Sequence, residues 1–326
     1  MPLHPFIAAE LAAASGAVPY DCLPIEQARA QMKRAYARQS LIDLPQVRDL
    51  SLPGPVGAVP VRIYRPTSEE KRLPLTVFFH GSGFCALDLD THDEICRRLA
   101  LGSHSLVASV DYRLAPEHPF PAAPDDCLAA TRELAGMAQS LGADASALSL
   151  VGDSAGACLA AVTALRLRDE GGPPAQALVL WYPVTDHPSA QWPSYERYAS
   201  GYGLSARGMR WFWSHYLSDL AQATHPYASP LRAPDLRGLP PTWILTAEYD
   251  VLCDEGQAFA DRLQQAGVAV ESQCAWGLNH GFLKHAARLP QAGDGMAHAC
   301  AWLRKRYAEI GSTDRTRATP HSRLSA

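Results

Sequence analysis

The sequence predicts an α/β fold, a mostly parallel central sheet flanked by helices. Two observations carry that prediction. Short apolar runs rich in β-branched and aromatic residues alternate with helical stretches through most of the chain. One such run, residues 148–151, passes directly into the turn Gly152-Asp153-Ser154-Ala155-Gly156, and an alanine-rich helical stretch continues over residues 155–168. Composition allows a large core, with 326 residues, 47% of them hydrophobic and 19% charged.

Residues 1–45 read as helical and separate from the strand-rich remainder of the chain. Ile25, Ala28, Met32 and Tyr36 recur at helical spacing with charge between them. Such a helix suits either a cap over a binding site or an ordinary surface helix. From Val47 the texture turns to strands: VRDLSL, VPVRIYRP and LPLTVFF, the last apolar enough for a central position. A helix over residues 92–101 leads to a strand at 106–112. Pro119, Pro121 and Pro124 then punctuate the entry to a helix over residues 125–141. Further strands fall at 177–181, 242–247 and 268–274. The core is expected over residues 46–310, with binding sites at the carboxyl ends of its strands.

One segment breaks the alternation. Residues 182–241 hold no clear strand and carry Trp192, Tyr195, Tyr198, Tyr202, Trp211, Phe212, Trp213 and Tyr216, with a helix over 205–217. Residues 185–225 are expected to form a lid joined to the N-terminal helices. From residue 311 the chain is polar and aperiodic and reads as a disordered tail.

Strand, tight turn and helix around G-x-S-x-G give the turn a chemical meaning. They hold a serine at a strained, exposed position beside a helix N-terminus, the nucleophile elbow of α/β-hydrolases. Such a serine needs a base, and the base an orienting acid, in the chain order Ser, Asp or Glu, His. His280, in a glycine-flanked loop after the last strand, is the expected base among 12 histidines. Asp250 is assigned as the acid over its neighbours Glu248, nearer the strand, and Asp254, better placed as the N-cap of a helix over 255–265. The glycine-rich turn HGSGF at residues 80–84 supplies N–H donors for an oxyanion, together with Ala155 after the nucleophile.

These blocks, with DYRLAPEHPFPAA from Asp111, AEYDVLCDEG and GLNHGFL, resemble the hormone-sensitive-lipase-like carboxylesterases, the bacterial family IV esterases. The resemblance spans Val47 to about Tyr307. It implies an α/β-hydrolase core under a helical cap, no cofactor or metal, and hydrolysis of short-acyl esters through an acyl-enzyme. It places the oxyanion donors on Ser82 and Gly83 and makes Asp153, Asp111, Tyr112, Arg113 and Glu117 structural. His80 is expected to hold the turn. Ser82 departs from the family, which has glycine there; its N–H survives, while its side chain either narrows the acyl side of the pocket or points harmlessly away. Phe84, Asp153, Tyr182, Tyr202, Leu204 and Trp211 are the candidate pocket residues. Cys85 and Cys253, beside the motifs, suggest sensitivity to thiol reagents.

A net charge of −4 argues against nucleic acid as a partner, and no apolar run approaches the ~20 residues of a membrane span. The first residues lack the pattern of an export signal, and eight scattered cysteines fit reduced thiols, so a cytoplasmic enzyme is expected. The expected partner is a small-molecule ester, with a homodimer possible in principle. The rival readings keep the triad and change the bond, to an amide, thioester or lactone, as in an arylformamidase-like enzyme. A non-catalytic receptor on this fold is less consistent with His280, which receptors of this kind have lost.

Overall fold

The computed structural model describes residues 1–36 and 41–317, with side chains up to residue 310. Eight strands, β1 (Gln46–Pro53), β2 (Ala58–Arg65), β3 (Leu73–Phe79), β4 (Leu106–Val110), β5 (Ala143–Asp153), β6 (Ala177–Trp181), β7 (Thr242–Tyr249) and β8 (Val270–Asn279), form one sheet in the order β1-β2-β4-β3-β5-β6-β7-β8. The first two strands run antiparallel to their neighbours and all remaining pairs are parallel. β3, β4 and β6 are buried almost throughout, as strands covered on both faces must be.

The helices are α1 (Pro5–Ala13), α2 (Ile25–Tyr36), α3 (Asp93–Ser103), α4 (Ala122–Gly136), α5 (Ala155–Asp169), α6 (Ser194–Arg197), α7 (Ala206–Tyr216), α8 (Cys253–Gln265) and α9 (Pro290–Arg317). Side chains of α4, α5 and α8 share one core with one face of the sheet, and those of α3 and α9 build a second core on the other. Helix α5 is buried from Ala155 to Leu165, and its small residues let it lie close to the sheet. α4 starts earlier than the prolines suggest, because Pro124 falls within its first turn, where no N–H partner is lost.

Two expectations are corrected. Asp254 is not an N-cap: α8 begins at Cys253 after Leu252, and the Asp254 carboxylate accepts the Ser194 N–H at 2.8 Å. Regular structure does not stop at residue 311, since α9 continues to Arg317. Extending a formed helix requires no new nucleus, so polar residues suffice. The rest of the expected tail, residues 318–326, lies outside the described residues.

α1, α2 and the segment from α6 to α7 gather over the carboxyl ends of the strands. Arg207 of α7 makes a bidentate pair with Asp21 at 2.7 and 2.8 Å, and the Tyr20 ring packs against Trp211 and Phe212. Arg29 ties α2 to the core. Its guanidinium donates to the carbonyls of Cys85 (2.7 Å) and Ala115 (2.9 Å) and to both oxygens of Glu117 (2.8 and 2.6 Å). A planar fork with several donors serves this clasp as a lysine could not.

Arg29→Met is expected to lower stability by about 1–2 kcal/mol, reduced from the value of a fully buried pair because Glu117 is half exposed. The Arg29 guanidinium pulls the Glu117 carboxyl down from 4.5 to about 2. The carboxylate's contribution is therefore complete above pH 4.5 and fades as pH falls toward 2. Urea midpoints of wild type and Glu117→Gln should differ at neutral pH and converge in that acid window. A gap of constant size would show that the Glu117 charge contributes nothing.

Candidate active site

Ser154 sits at the junction of β5 and α5 with φ 55° and ψ −121°, a backbone conformation costly for any residue with a Cβ. The turn is held from both sides: its N–H donates to Trp181 O at 2.9 Å and its carbonyl accepts the Val184 N–H at 3.2 Å. Gly156 is required by space. A Cβ there would lie 2.0 Å from the carbonyl oxygen of Phe79, at the end of the adjacent strand β3. The helix can begin this close to the sheet only without that atom.

Two residues from other strand ends meet the serine. His280 comes just after β8, and its Nε2 lies 2.9 Å from Ser154 Oγ. Asp250 comes just after β7, and its Oδ2 lies 2.7 Å from His280 Nδ1, while its Oδ1 accepts the Leu252 N–H at 3.0 Å. Asp250 is almost fully buried, so water does not compete for the imidazole. Glu248 is engaged elsewhere, accepting the Gly277 N–H at 2.6 Å. The Tyr182 ring packs edge-on against His280, with centroids 4.8 Å apart. A hydroxyl, an imidazole and a buried carboxylate in this line can draw a proton from the serine oxygen.

The turn after β3 faces them. Asp153 anchors it, its Oδ1 accepting the Gly81 N–H at 2.9 Å and lying 3.4 Å from His92 Nε2. Tyr112 donates its hydroxyl to the His80 carbonyl at 2.7 Å and stacks on the His80 ring. Burial, aided by neighbouring His92, pushes His80 from 6.5 down to about 4, so it is a neutral structural group at neutral pH. Among the described residues the N–H groups of Ser82 and Gly83 donate to no protein acceptor. The Ala155 N–H belongs to the first turn of α5, where helical N–H groups lack intrahelical partners. Ser82 takes φ 97°, and its hydroxyl is directed at Met32 Sδ of α2, 3.4 Å away.

A cavity of about 790 Å³ opens over Ser154. Its wall includes Ser82, Gly83, Ser154 and His280, with α1 and α2 as its roof. Of the six candidate pocket residues, Leu204 and Asp153 line it. The other four are corrected. Phe84 turns inward and stacks on Tyr216 at 3.8 Å, Tyr202 stacks on Tyr249, and Trp211 packs outside on Tyr20. Tyr182 lies beneath His280, buried. Half-buried Trp211 and Tyr202 thus pack on neighbouring aromatic rings, and Phe84 and Tyr182 are buried.

A family model described as alpha/beta hydrolase fold matches residues 76–284, more than half of the chain. The chain belongs to the hormone-sensitive-lipase-like branch of the α/β-hydrolases. Among its relatives is a Mycobacterium tuberculosis protein named esterase LipI, 42% identical over 279 residues, covering 82% of this chain and 87% of the relative. A Pseudomonas putida protein named ethyl acetate hydrolase is 37% identical over 310 residues, covering 91% and 96%. The solved esterase of the archaeon Pyrobaculum calidifontis superposes with a TM-score of 0.88 at 37% identity, covering 94% of this chain and 99% of that one.

The hydrolase contains features its motifs did not announce. Ile7, Leu11 and Met32 from the cap line the cavity, as do Lys284 and Arg288 just beyond His280. Asn279, also on the wall, donates to Tyr202 O at 2.9 Å and fastens the lid to the end of β8. Burial works against the expected sensitivity of two of its thiols. Cys85 is buried and its thiol pushed up by burial, and half-buried Cys253 is pushed up to about 12. In both, burial disfavours the reactive thiolate.

Gly83, with φ 61°, lies so close to Phe212 that a Cβ would sit 2.2 Å from the ring. Gly83→Ala is expected to lower kcat/KM on the hydrolase's ester substrates roughly ten-fold or more by displacing the turn. Gly83→Ala with Phe212→Ala should recover part of that loss. Equal rates for wild type and Gly83→Ala would remove the turn from the working site.

Proposed function

We propose that this ester hydrolase is a carboxylesterase for small, short-acyl esters, working through an acyl-enzyme on Ser154. The observation that carries the reading is the unbroken line from Ser154 Oγ to His280 Nε2 (2.9 Å) and from His280 Nδ1 to Asp250 Oδ2 (2.7 Å). With Asp250 ionised, Nδ1–H donates to its carboxylate and Nε2 is left to accept the serine proton. Ser154 then attacks the ester carbonyl while His280 takes that proton. Negative charge gathers on the carbonyl oxygen, and the N–H groups of Ser82, Gly83 and Ala155 stabilise it as it forms. His280 next gives its proton to the departing alcohol. Water enters, loses a proton to His280 and attacks the acyl carbonyl, and collapse of the second tetrahedral intermediate releases the acid and restores Ser154.

Preference for short chains is supported by a site roofed by α1 and α2, with Phe212 pressed against Gly83 at its floor. The similarity to a protein named ethyl acetate hydrolase points the same way. Among the described residues no helix is long and apolar enough to cross a membrane. A cytoplasmic setting is supported by eight cysteines, none in a disulfide.

Hydrolysis of p-nitrophenyl acetate, butyrate, octanoate and laurate tests the reading. kcat/KM is expected to fall from butyrate to laurate, and Ser154→Ala to lose at least ~10⁴ in kcat on every ester. Hydrolysis of amides, thioesters or lactones in preference to all four esters would transfer the same machinery to another bond. Full activity in Ser154→Ala would refute the assignment of the nucleophile.

A further inference from the structure

The cavity has two kinds of wall. Ile7, Leu11, Met32, Leu204, Met209 and Phe212 supply apolar lining. The rest of the lining carries charges, and most of them are already answered. Glu94 pairs with Arg98 at 2.6 Å and accepts the Ile42 N–H at 3.1 Å. Glu10 lies 3.6 Å from Arg288 and 3.4 Å from His285. Asp153 is committed to the Gly81 N–H. Two cations on this wall, Lys284 and Arg34, have no carboxylate within ion-pair distance among the described residues. The undescribed residues 37–40, directly after α2, include no Asp or Glu.

Lys284 is the more telling of the two. It stands four residues past His280, on the 3₁₀ turn Phe282–His285, and is half-buried. Its Nζ lies over the face of the Tyr36 ring, 6.0 Å from the centroid. Burial pushes the amine below its ordinary value, with Glu10 only partly opposing the shift. An ammonium held this way is costly until a counter-charge reaches it. The cavity it shares with Ser154 is the route by which one can arrive.

We propose that Lys284, assisted by Arg34 on the same wall, receives a carboxylate carried by the substrate. The preferred substrates are then short esters bearing one carboxylate remote from the scissile bond. The inference rests on the ester reading of the site and refines it: the apolar wall holds the uncharged chain, and the cationic wall selects the acid group. A carboxylate bound there completes an ion pair in a partly desolvated pocket, where such a contact discriminates strongly between charged and uncharged analogues.

The test compares matched pairs by pH-stat: monoethyl succinate with ethyl butyrate, monoethyl glutarate with ethyl valerate, monoethyl adipate with ethyl caproate, and 4-acetoxybutyrate with butyl acetate. The readout is the charged-to-uncharged ratio of kcat/KM. For the best pair that ratio is expected to fall at least ten-fold in Lys284→Met and to be largely kept in Lys284→Arg. A ratio unchanged by Lys284→Met in all four pairs would overturn the proposal. A second measurement needs no turnover: calorimetric titration of Ser154→Ala with glutarate, repeated in Ser154→Ala with Lys284→Met. Binding weakened at least ten-fold by the lysine change supports the site, and equal or absent binding in both proteins rejects it. Failure of wild type to hydrolyse any uncharged ester would count against the ester reading alone, since the titration still decides the role of Lys284.

Discussion

The site depends on a close backbone approach. α5 starts where the end of β3 leaves no room for a side chain, so Gly156 sits against the Phe79 carbonyl and Ser154 is forced to a positive φ. That conformation is unfavourable in isolation and persists because the strand and the helix on either side are buried and fixed. The same contact couples two parts of the chemistry. Asp153, one residue before the serine, holds the Gly81 N–H, so the elbow and the turn carrying Ser82 and Gly83 move as one unit. Ser154 and the N–H groups of Ser82 and Gly83 are thus positioned relative to each other by one carboxylate and one steric contact.

The remaining geometry comes from the parallel sheet. Neighbouring strands β5, β6, β7 and β8 run in the same direction, so their carboxyl ends share one rim. Ser154, Asp250 and His280 stand just past the ends of β5, β7 and β8, and three positions far apart in sequence meet within hydrogen-bond distance. Above the rim, the cap is clasped by charge as well as by packing. Arg29 holds α2 to the carbonyls of Cys85, in the loop after β3, and Ala115, in the loop after β4, and Arg207 holds α7 to Asp21. Neither clasp touches the reacting atoms, yet both fix the roof under which the ester must fit.

Much of this was legible in the sequence, because it rests on local signals. The strand-turn-helix at Ser154 is written in consecutive residues, and β6 was placed at its observed limits by its apolar run alone. Asp250 is preferred to Asp254 in the sequence because Asp254 reads as the N-cap of the helix that follows, a reason the structure does not support. α8 starts at Cys253, one residue before Asp254, and the Asp254 carboxylate is turned to the Ser194 N–H of another segment, a contact no local pattern reveals. β8 runs beyond the expected limit to Asn279 because Asn279 still pairs with Tyr249 of β7 across an irregular stretch that holds Gly277. The pocket was least legible. Trp211 and Tyr202 look like ligand-binding aromatics in sequence, yet they find ring partners in Tyr20 and Tyr249. The residues that do face the cavity, such as Ile7 and Lys284, are brought there by the docking of separate segments.

If the reaction passes through a covalent bond to Ser154, that bond can be trapped. Incubation with a p-nitrophenyl alkylphosphonate, then intact-mass analysis and peptide mapping, should show one phosphonyl group per chain, on Ser154, with activity lost in proportion. An adduct on another residue accompanying inactivation, or an active enzyme that remains unlabelled, would rule out Ser154 as the acyl carrier.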